Sequence, residues 1–326
     1  MQFTFGLLLY NQQKYVLETL ESIKFQIVNY GENIDCDLII NDDCSKDDSL
    51  LYAEKWIHEN HHLFRSIIVN RLKENQGTVI GQQFIIDNCK TDYFKLLACD
   101  DVLGSKNIFE CFNELDNKTI KTYLRLELIN GNLNINEEVL MKSYYLRIKG
   151  DSLSSMRKGC YFHTPSTIYG KDLYYNAGCC DLNSKFRLFE DDPTWYQMIK
   201  NTDDLKILFV DEVIVLYRMS NTSISNSGIK DNPFSKELRQ LSLIYELDST
   251  GLEKLYFKSK NSCLPKFLRF DKYIDYINKI RYKAYCTKSE EYSFLIKRIK
   301  QIMMREQVHY DMIKNLAKKF EGEYLK

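Results

Sequence analysis

The amino-acid sequence predicts an α/β fold in which a mostly parallel sheet is followed by a helical C-terminal region. Three observations indicate it. Apolar runs typical of strands alternate with helical spacings through the first hundred residues. Polar and acidic residues directly follow several of these runs. From about Pro233 onward the apolar residues recur only at helical spacing. Alternation of the first kind gives parallel strands joined by right-handed helical crossovers.

The elements of the first hundred residues follow in order. Continuous apolar runs, which are typical of strands buried on both faces, predict strands over residues 3–9, 38–40, 66–69 and 93–98. Apolar residues spaced three and four apart predict helices over residues 16–27, 50–64 and 78–88. Ligands of such sheets bind beyond the carboxyl ends of the strands, so the polar residues at those ends are the first candidates for a site.

The second half of the chain is less regular. Residues 119–160 are predicted to form short strands separated by turns, and residues 191–200 a helix. Two further strands are predicted over residues 207–210 and 213–216. In the helical tail, one apolar stripe is predicted on a long amphipathic segment. Its members are Leu295, Ile299, Ile302, Met303, Ile313, Leu316 and Phe320.

The zero net charge of the 326 residues conceals an asymmetry. Residues 251–326 contain 18 Lys and Arg against 9 Asp and Glu, which leaves 27 against 36 in the first 250 residues. An acidic first part suits metal and diphosphate chemistry, and a basic tail suits an anionic partner. The aromatic and basic tail fits either a surface that approaches anionic lipids or a cap that packs on the α/β domain or on a second subunit, as in a homo-oligomer. Nucleic acid is not predicted, because no reader motif is present.

The composition also bears on location. No run of 18 uncharged apolar residues exists, so no membrane-spanning segment is predicted. The apolar start lacks a basic leader and a cleavage site, and is therefore predicted to be a strand and not a signal peptide. None of the ten cysteines has C-x-x-C spacing, which favours free thiols in a reducing cytoplasm over a zinc or disulfide framework.

Two acidic clusters are the main candidates for chemistry. Asp100 and Asp101 follow the strand over residues 93–98, where paired carboxylates can hold Mn²⁺ or Mg²⁺; a solvated turn or a helix cap is the structural alternative. Glu190, Asp191 and Asp192 open the helix over residues 191–200. A carboxylate there can act as a general base, although acids also favour a helix N-terminus for its dipole alone.

Six segments, in this order, resemble the inverting glycosyltransferases of family 2. They are residues 7–15 (LLLYNQQKY), 39–47 (IINDDCSKD), 75–77 (NQG), 97–101 (LACDD), 190–195 (EDDPTW) and 217–225 (YRMSNTSIS). The resemblance implies an α/β, Rossmann-like, mostly parallel sheet of the GT-A type that binds a nucleotide sugar. It also implies a catalytic domain over residues 1–230, with a nucleotide-binding half (1–101) and an acceptor half (102–230), before a helical region over 231–326.

The resemblance assigns roles to single residues. Asp101, with Asp100 beside it, would hold the metal, and Asp100 would also border the donor nucleotide. Asp191 would be the catalytic base and Glu190 would orient it or the acceptor; Asp192 is the rival for the base. The donor nucleotide would be bound by Tyr10, Asn11, Asp42 and Arg71, although a plain surface arginine is an equal alternative for Arg71.

Other positions have more modest expectations. Asp43 is expected to cap the helix that begins after Ser45, and the turn at Asn75 and Gly77 to be structural. His163 is a candidate for the border of the acceptor site. Where the family has a histidine after Tyr-Arg, this chain has Met219-Ser220, so that role would pass to Ser223 or Ser225 or be absent.

The resulting hypothesis is a metal-dependent inverting glycosyltransferase that uses a nucleotide-diphosphate sugar, of which a UDP-sugar is the first choice. Its acceptor would be a glycan or a lipid-linked glycan of a bacterial capsule or lipopolysaccharide, made on the cytoplasmic side of the membrane. Two alternatives stay open. A sugar nucleotidyltransferase would need a glycine-rich phosphate loop after the first strand, which is missing; a degenerate, non-catalytic scaffold would fit the altered motifs.

Overall fold

The computed structural model describes residues 1–149, 152–158, 163–219 and 233–325. In these ranges the strands are β1 (Gln2–Leu9), β2 (Asp35–Asp42), β3 (Ser66–Arg71), β4 (Tyr93–Ala98), β5 (Val102–Leu103), β6 (Thr119–Ile129), β7 (Asn132–Asn134), β8 (Thr167–Gly170) and β9 (Lys206–Arg218). The helices are α1 (Val16–Tyr30), α2 (Ser49–Asn60), α3 (Thr78–Asn88), α4 (Glu137–Lys149), α5 (Ser152–Lys158), α6 (Lys171–Asn176), α7 (Cys179–Asn183), α8 (Asp191–Asn201), α9 (Pro233–Asp248), α10 (Gly251–Asn261), α11 (Phe270–Cys286) and α12 (Glu290–Tyr324).

The strands form one sheet in the order β3-β2-β1-β4-β8-β6-β9-β5, with β7 paired to β6. The first half, from β3 to β4, is entirely parallel. In the second half β8 is antiparallel to both β4 and β6, whereas β6 and β9 are parallel. The α/β fold class and the helical C-terminal region are therefore confirmed.

The parallel half is covered on both faces, which is why its strands are continuously apolar. On one face, Phe3, Phe5 and Leu7 of β1 pack in the same cluster as α1 and α2. On the other face, residues of β4 pack with α3, α6 and α8. This second layer brings the start of α8, and with it the Glu190 cluster, to the sheet.

Helix α12 packs on the sheet that carries the candidate site. Its buried residues Leu295, Ile299, Ile302 and Ile313 join those of β6 and β9 in one cluster. The fully buried Glu306 accepts hydrogen bonds from the amide and the hydroxyl of Ser105 (2.7 and 2.6 Å). This long helix is thereby fixed to the loop that follows β5.

Helix α11 has a different environment, because its main neighbours are α4 and α10. Its Tyr282 and Tyr285 contact the ring of Tyr145 on α4 (4.8 and 5.5 Å between centroids). On the α10 side, Tyr256 donates a hydrogen bond to Asp275 (2.7 Å). Across the described residues, no helix is both long and apolar enough to span a membrane.

Four sequence predictions for the fold are wrong. The helix predicted over 50–64 ends at Asn60, and residues 61–63 form a 3₁₀ turn. Residues 137–158 are helical instead of strands and turns, because α4 packs against α11 as well as the β6 side and so lacks a one-sided apolar pattern. The two strands predicted over 207–216 are one strand, β9, whose register against β6 shifts next to Asp211 and Glu212. Leu316, at 40% exposure, lies outside the buried stripe of α12.

Candidate active site

The predicted donor residues lie at one edge of the parallel half-sheet. In the register of the strands, Leu9 is opposite Asp42, which is opposite Arg71. Leu8 is opposite Ala98 in β4. Because these strands are parallel, the residues that follow them lie at the same carboxyl edge, where ligands of such sheets bind.

Two of the predicted donor residues organise the loop that follows β2. Asn11 has a left-handed backbone (φ 52°), and its side-chain oxygen accepts a hydrogen bond from the amide of Lys46 (2.7 Å). The carboxylate of the buried Asp42 accepts one from the amide of Ser45 (3.2 Å). Tyr10 is 40% exposed at the same edge, so its ring is accessible to a ligand.

Asp43 holds a different turn from the one expected. Its carboxylate accepts hydrogen bonds from the amides of Gln76 (2.6 Å) and Gly77 (2.9 Å), so the prediction that it caps the helix after Ser45 is wrong. The turn itself is structural, as expected. Gly77 has φ 91°, and a Cβ atom there would lie 2.3 Å from the carbonyl oxygen of Arg187, so only glycine fits.

Arg71 lies at the carboxyl end of β3, but its exposed guanidinium forms an ion pair with Glu54 of α2. Its side chain is therefore engaged by the neighbouring helix. Ser223 and Ser225, the proposed substitutes for the missing histidine, lie outside the described residues.

Asp101 is fully buried between β4 and β9. One carboxylate oxygen accepts a hydrogen bond from the amide of Arg218 (2.9 Å), and the other has no hydrogen-bond partner among the described residues. Burial raises the pKa of Asp101 well above its ordinary value, and the charge of Asp100 raises it further. The guanidinium of Arg218 donates to the carbonyl oxygen of Asp100 (2.7 Å) and pairs with Glu18 of α1.

This geometry fits a divalent cation. A buried carboxylate oxygen without a partner carries a free-energy cost of about 1–3 kcal/mol, which a bound cation would remove. Asp101 would hold the ion with Asp100 beside it. Over the described ranges no group of three or more His, Cys, Asp and Glu side chains is arranged as a metal site, so the remaining ligands would come from the diphosphate and water.

The second acidic cluster lies at the start of α8. Glu190 accepts a hydrogen bond from the hydroxyl of Thr78 (2.9 Å), and burial together with the charge of Asp191 raises the pKa of Glu190 to about 8. Burial also raises the pKa of Asp191, whereas the positive charge of Arg125 lowers it. The charge of Asp192 raises the pKa of Glu190 and also that of Lys260 of α10.

The charges of both acidic clusters act on Tyr217. Burial raises the pKa of its phenol, and the charges of Asp101, Asp100 and Asp191 all raise it further. Cys99 lies near both the first acidic cluster and Asp42 of the donor edge. Burial raises the pKa of its thiol, and the charges of Asp100, Asp42 and Asp101 raise it further. The fold thus brings together acids that are about ninety positions apart in the sequence.

Comparison with known proteins identifies the family. Residues 6–168, half of the chain, match Glycosyl transferase family 2. The chain belongs to glycosyl transferase family 2. Its fold is similar to solved structures of S. aureus TarS 1–349. The complex with UDP-GlcNAc has 15% identity and a TM-score of 0.57 and covers 98% of this chain and 92% of that one; the complex with UDP has 13% identity and a TM-score of 0.53 and covers 100% and 93%. A search of curated proteins found no match.

As a member of glycosyl transferase family 2, this protein is a glycosyltransferase. A cavity of about 210 Å³ lies between β6, β9, α4 and α12, and one of its lining residues, Arg125, carries the charge that lowers the pKa of Asp191. Arg125 and His163 both line it, and each has a buried nitrogen without a hydrogen-bond partner among the described residues. The ring of His163 also contacts that of Tyr217 (4.5 Å between centroids).

Sequence reasoning missed three residues of this glycosyltransferase site. Arg218 was quoted only as part of a motif, and Arg125 and Lys95 were not considered. The fully buried Lys95 donates to the carbonyl oxygens of Thr164 (3.2 Å) and Thr167 (3.3 Å). A lysine within the apolar run of β4 was the one signal that could have pointed to it.

The raised pKa of Glu190 predicts a pH-dependent stability. The folded protein keeps the proton of Glu190 up to about pH 8, whereas the unfolded chain releases it above its ordinary pKa of 4.5. The free energy of unfolding therefore falls as the pH rises from 4.5 toward about 8. Glu190→Gln should therefore be the more stable protein at about pH 9, by on the order of 5 kcal/mol, and equal to the parent at about pH 4. Thermal unfolding across this range measures the difference. The exposed Glu74→Gln is the control; parallel pH curves for the parent and Glu190→Gln would contradict the prediction.

Proposed function

We propose that this protein is an inverting, metal-dependent glycosyltransferase that moves a sugar from a nucleotide-diphosphate donor to a hydroxyl of a glycan or lipid-linked acceptor. The observation that carries the proposal is that the charges of Asp101, Asp100 and Asp191 all raise the pKa of the buried phenol of Tyr217, which indicates that the pair and the separate acid lie near one another. A cation-holding pair and a nearby base are the groups that direct displacement at a sugar carbon requires.

The donor is proposed to lie along the carboxyl edge of the parallel strands. Asp42 and Tyr10 would border the base and ribose, with Asn11 holding their loop in shape. Asp101 and Asp100 would hold Mn²⁺ or Mg²⁺, which when bound neutralises charge on the diphosphate leaving group. A UDP-sugar is the first choice, because TarS, which has a similar fold, was solved with UDP and with UDP-GlcNAc.

Asp191 is proposed to take the proton of the attacking acceptor hydroxyl. Its burial raises its pKa and so makes it a stronger base than an exposed aspartate. The charge of Asp191 acts on Tyr217, and the charge of Arg125 acts on Asp191. Attack from the side opposite the diphosphate would invert the configuration at the sugar carbon. Glu190, held by Thr78, would orient this end of α8.

The acceptor is proposed to enter from the cavity beside Arg125 and His163. Burial lowers the pKa of His163 well below its ordinary value, so the ring is neutral and can accept or donate one hydrogen bond to a sugar hydroxyl. The cavity's mixed apolar and polar lining suits an acceptor sugar. The cellular role proposed is extension of a surface glycan, such as a bacterial capsule or lipopolysaccharide, from the cytoplasmic face of the membrane.

Calorimetric titration with UDP tests the metal site. The parent should bind UDP more tightly with Mn²⁺ than without, and Asp101→Asn should lower that metal-dependent affinity by about tenfold or more, since even changes behind metal ligands cost this much. The hydrogen bond from Arg218 survives in Asp101→Asn, because asparagine keeps an acceptor oxygen.

Asp203→Asn is the matched control, because Asp203 is exposed and lies just before β9, at the opposite end of that strand from Arg218. It removes the same charge and should leave binding unchanged. If the parent binds no nucleotide diphosphate with Mn²⁺, the non-catalytic scaffold becomes the better account of this chain.

A further inference from the structure

Helix α11 presents one stripe of its apolar residues to solvent. Of its 17 residues only Asp271 and Cys286 are buried. Tyr273, Tyr276 and Ile280 are 58%, 66% and 51% exposed. Surface helices ordinarily bury such a stripe and expose the polar one, so this helix has the reverse arrangement.

The exposed residues of α11 adjoin the turn that precedes it, because the hydroxyl of Tyr273 donates a hydrogen bond to the carbonyl oxygen of Phe267 (2.8 Å). Tyr273, Tyr276, Ile277 and Ile280 recur at spacings of three and four, which places them on one side of the helix. The patch, called here the α11 surface, consists of Leu264, Phe267, Leu268, Phe270, Tyr273, Tyr276, Ile277 and Ile280. A contiguous apolar surface of this kind is typical of an interaction site.

Basic residues flank the α11 surface. By helical periodicity Lys272, Lys279 and Lys283 lie along one side of the stripe and Arg281 along the other. Residues 264–288 contain seven Lys and Arg against two acids. The opposite side of α11 is already occupied by Tyr145 of α4 and by Tyr256 of α10, so the helix is held in place with this side outward.

We propose that the α11 surface docks on an anionic lipid bilayer. Aromatic and aliphatic side chains flanked by lysine and arginine are what an interfacial helix needs to insert its apolar side while its cations contact lipid phosphates. A symmetric contact with a second copy is disfavoured, because two-fold symmetry would place these basic rows against each other. The proposal does not depend on the sugar chemistry, although α4 both contacts α11 and lines the proposed acceptor cavity.

Vesicle flotation tests the proposal with the full chain. The parent should float with vesicles that contain phosphatidylglycerol and not with pure phosphatidylcholine. Tyr276→Ser combined with Ile280→Ser should lower the partition coefficient by about tenfold or more. Arg281→Gln combined with Lys283→Gln should lower the partition coefficient on the order of 30-fold, and high salt should lower the partition coefficient of the parent.

A matched control comes from α12, where Met304 and Val308 are 63% and 72% exposed and four residues apart. Met304→Ser combined with Val308→Ser removes a comparable apolar area and should leave flotation unchanged. The proposal would be overturned if the parent and the Tyr276/Ile280 variant floated equally with vesicles that contain phosphatidylglycerol. It would also be overturned if the parent bound pure phosphatidylcholine vesicles as well as it binds those. A lipid-free dimer that the Tyr276/Ile280 variant abolishes in sedimentation velocity would overturn it as well. Unchanged UDP binding in each variant separates a failure of docking from a failure of the site.

Discussion

Asp191→Asn is expected to lower kcat by between about 10² and 10⁴-fold, the usual contribution of a general base. Asparagine keeps the oxygen that accepts the amide of Asp192 (2.8 Å), so the start of α8 should keep its shape. What it loses is the ability to take a proton from the acceptor. The affinity for UDP, measured by calorimetry, should remain that of the parent, because the donor edge is not altered.

Asp192→Asn is the control for this prediction, and it also decides between the two candidate bases. The charge of Asp191 acts on Tyr217, whereas that of Asp192 acts on Glu190 and on Lys260 of α10. We therefore expect Asp192→Asn to retain a kcat close to that of the parent. Activity in the parent should fall as the pH drops through the raised pKa of Asp191, since the protonated acid cannot act as a base. A large loss in Asp192→Asn with none in Asp191→Asn would reverse the assignment.

The parallel half of the fold could be predicted closely from the sequence. The helix over residues 78–88 and the strand over 93–98 were predicted with the bounds that the structure has. Their patterns are strong because each element has one environment: β4 is buried on both faces, and α3 packs against the sheet. A prediction from local pattern succeeds where burial is uniform along the element.

The second half was harder because its elements have neighbours from distant parts of the chain. Helix α4 packs between the β6 side and α11, and β9 is interrupted by a register shift at Asp211 and Glu212. Neither condition leaves a simple period in the sequence. The orientation of α11 also could not be predicted, because its apolar stripe is the one that faces outward.

The acids of the site were visible in the sequence, whereas the residues that hold them were not. Asp101 and Asp191 stand out as carboxylates after a strand and before a helix. The residues around them act through contacts that span the chain, as Arg218 does with Glu18, two hundred positions away. Lys95 likewise fixes the turn at Thr164, whose hydroxyl accepts a hydrogen bond from Trp195 of α8 (3.2 Å). Such long-range supports leave no spacing from which to infer them.

Arg218→Met is expected to destabilise the protein by about 3–5 kcal/mol, because removing one partner of a buried ion pair leaves the other charge uncompensated. The Arg218 and Glu18 side chains are 6% and 10% exposed, and the guanidinium also lies 4.0 Å from the ring centroid of Tyr15. Since Arg218 holds the Asp100 carbonyl, Mn²⁺-dependent UDP binding should weaken as well. Urea unfolding measures the first effect and calorimetry the second.

Two comparisons separate the buried charge from simple loss of packing. Arg298→Met breaks an ion pair with Glu212 in which the arginine side chain is 44% exposed, so it should cost less than about 1 kcal/mol. Glu18→Gln added to Arg218→Met removes the uncompensated charge and should recover a substantial part of the lost stability. The loss in free energy of unfolding should also be measured for Arg218→Met and Glu18→Gln alone. If the loss in the double variant equals the sum of these two losses, then Glu18 and Arg218 do not act as a pair. The link from α1 through Arg218 to the Asp100 loop would then not be what holds Asp100 and Asp101, the acids proposed to bind the metal, in place.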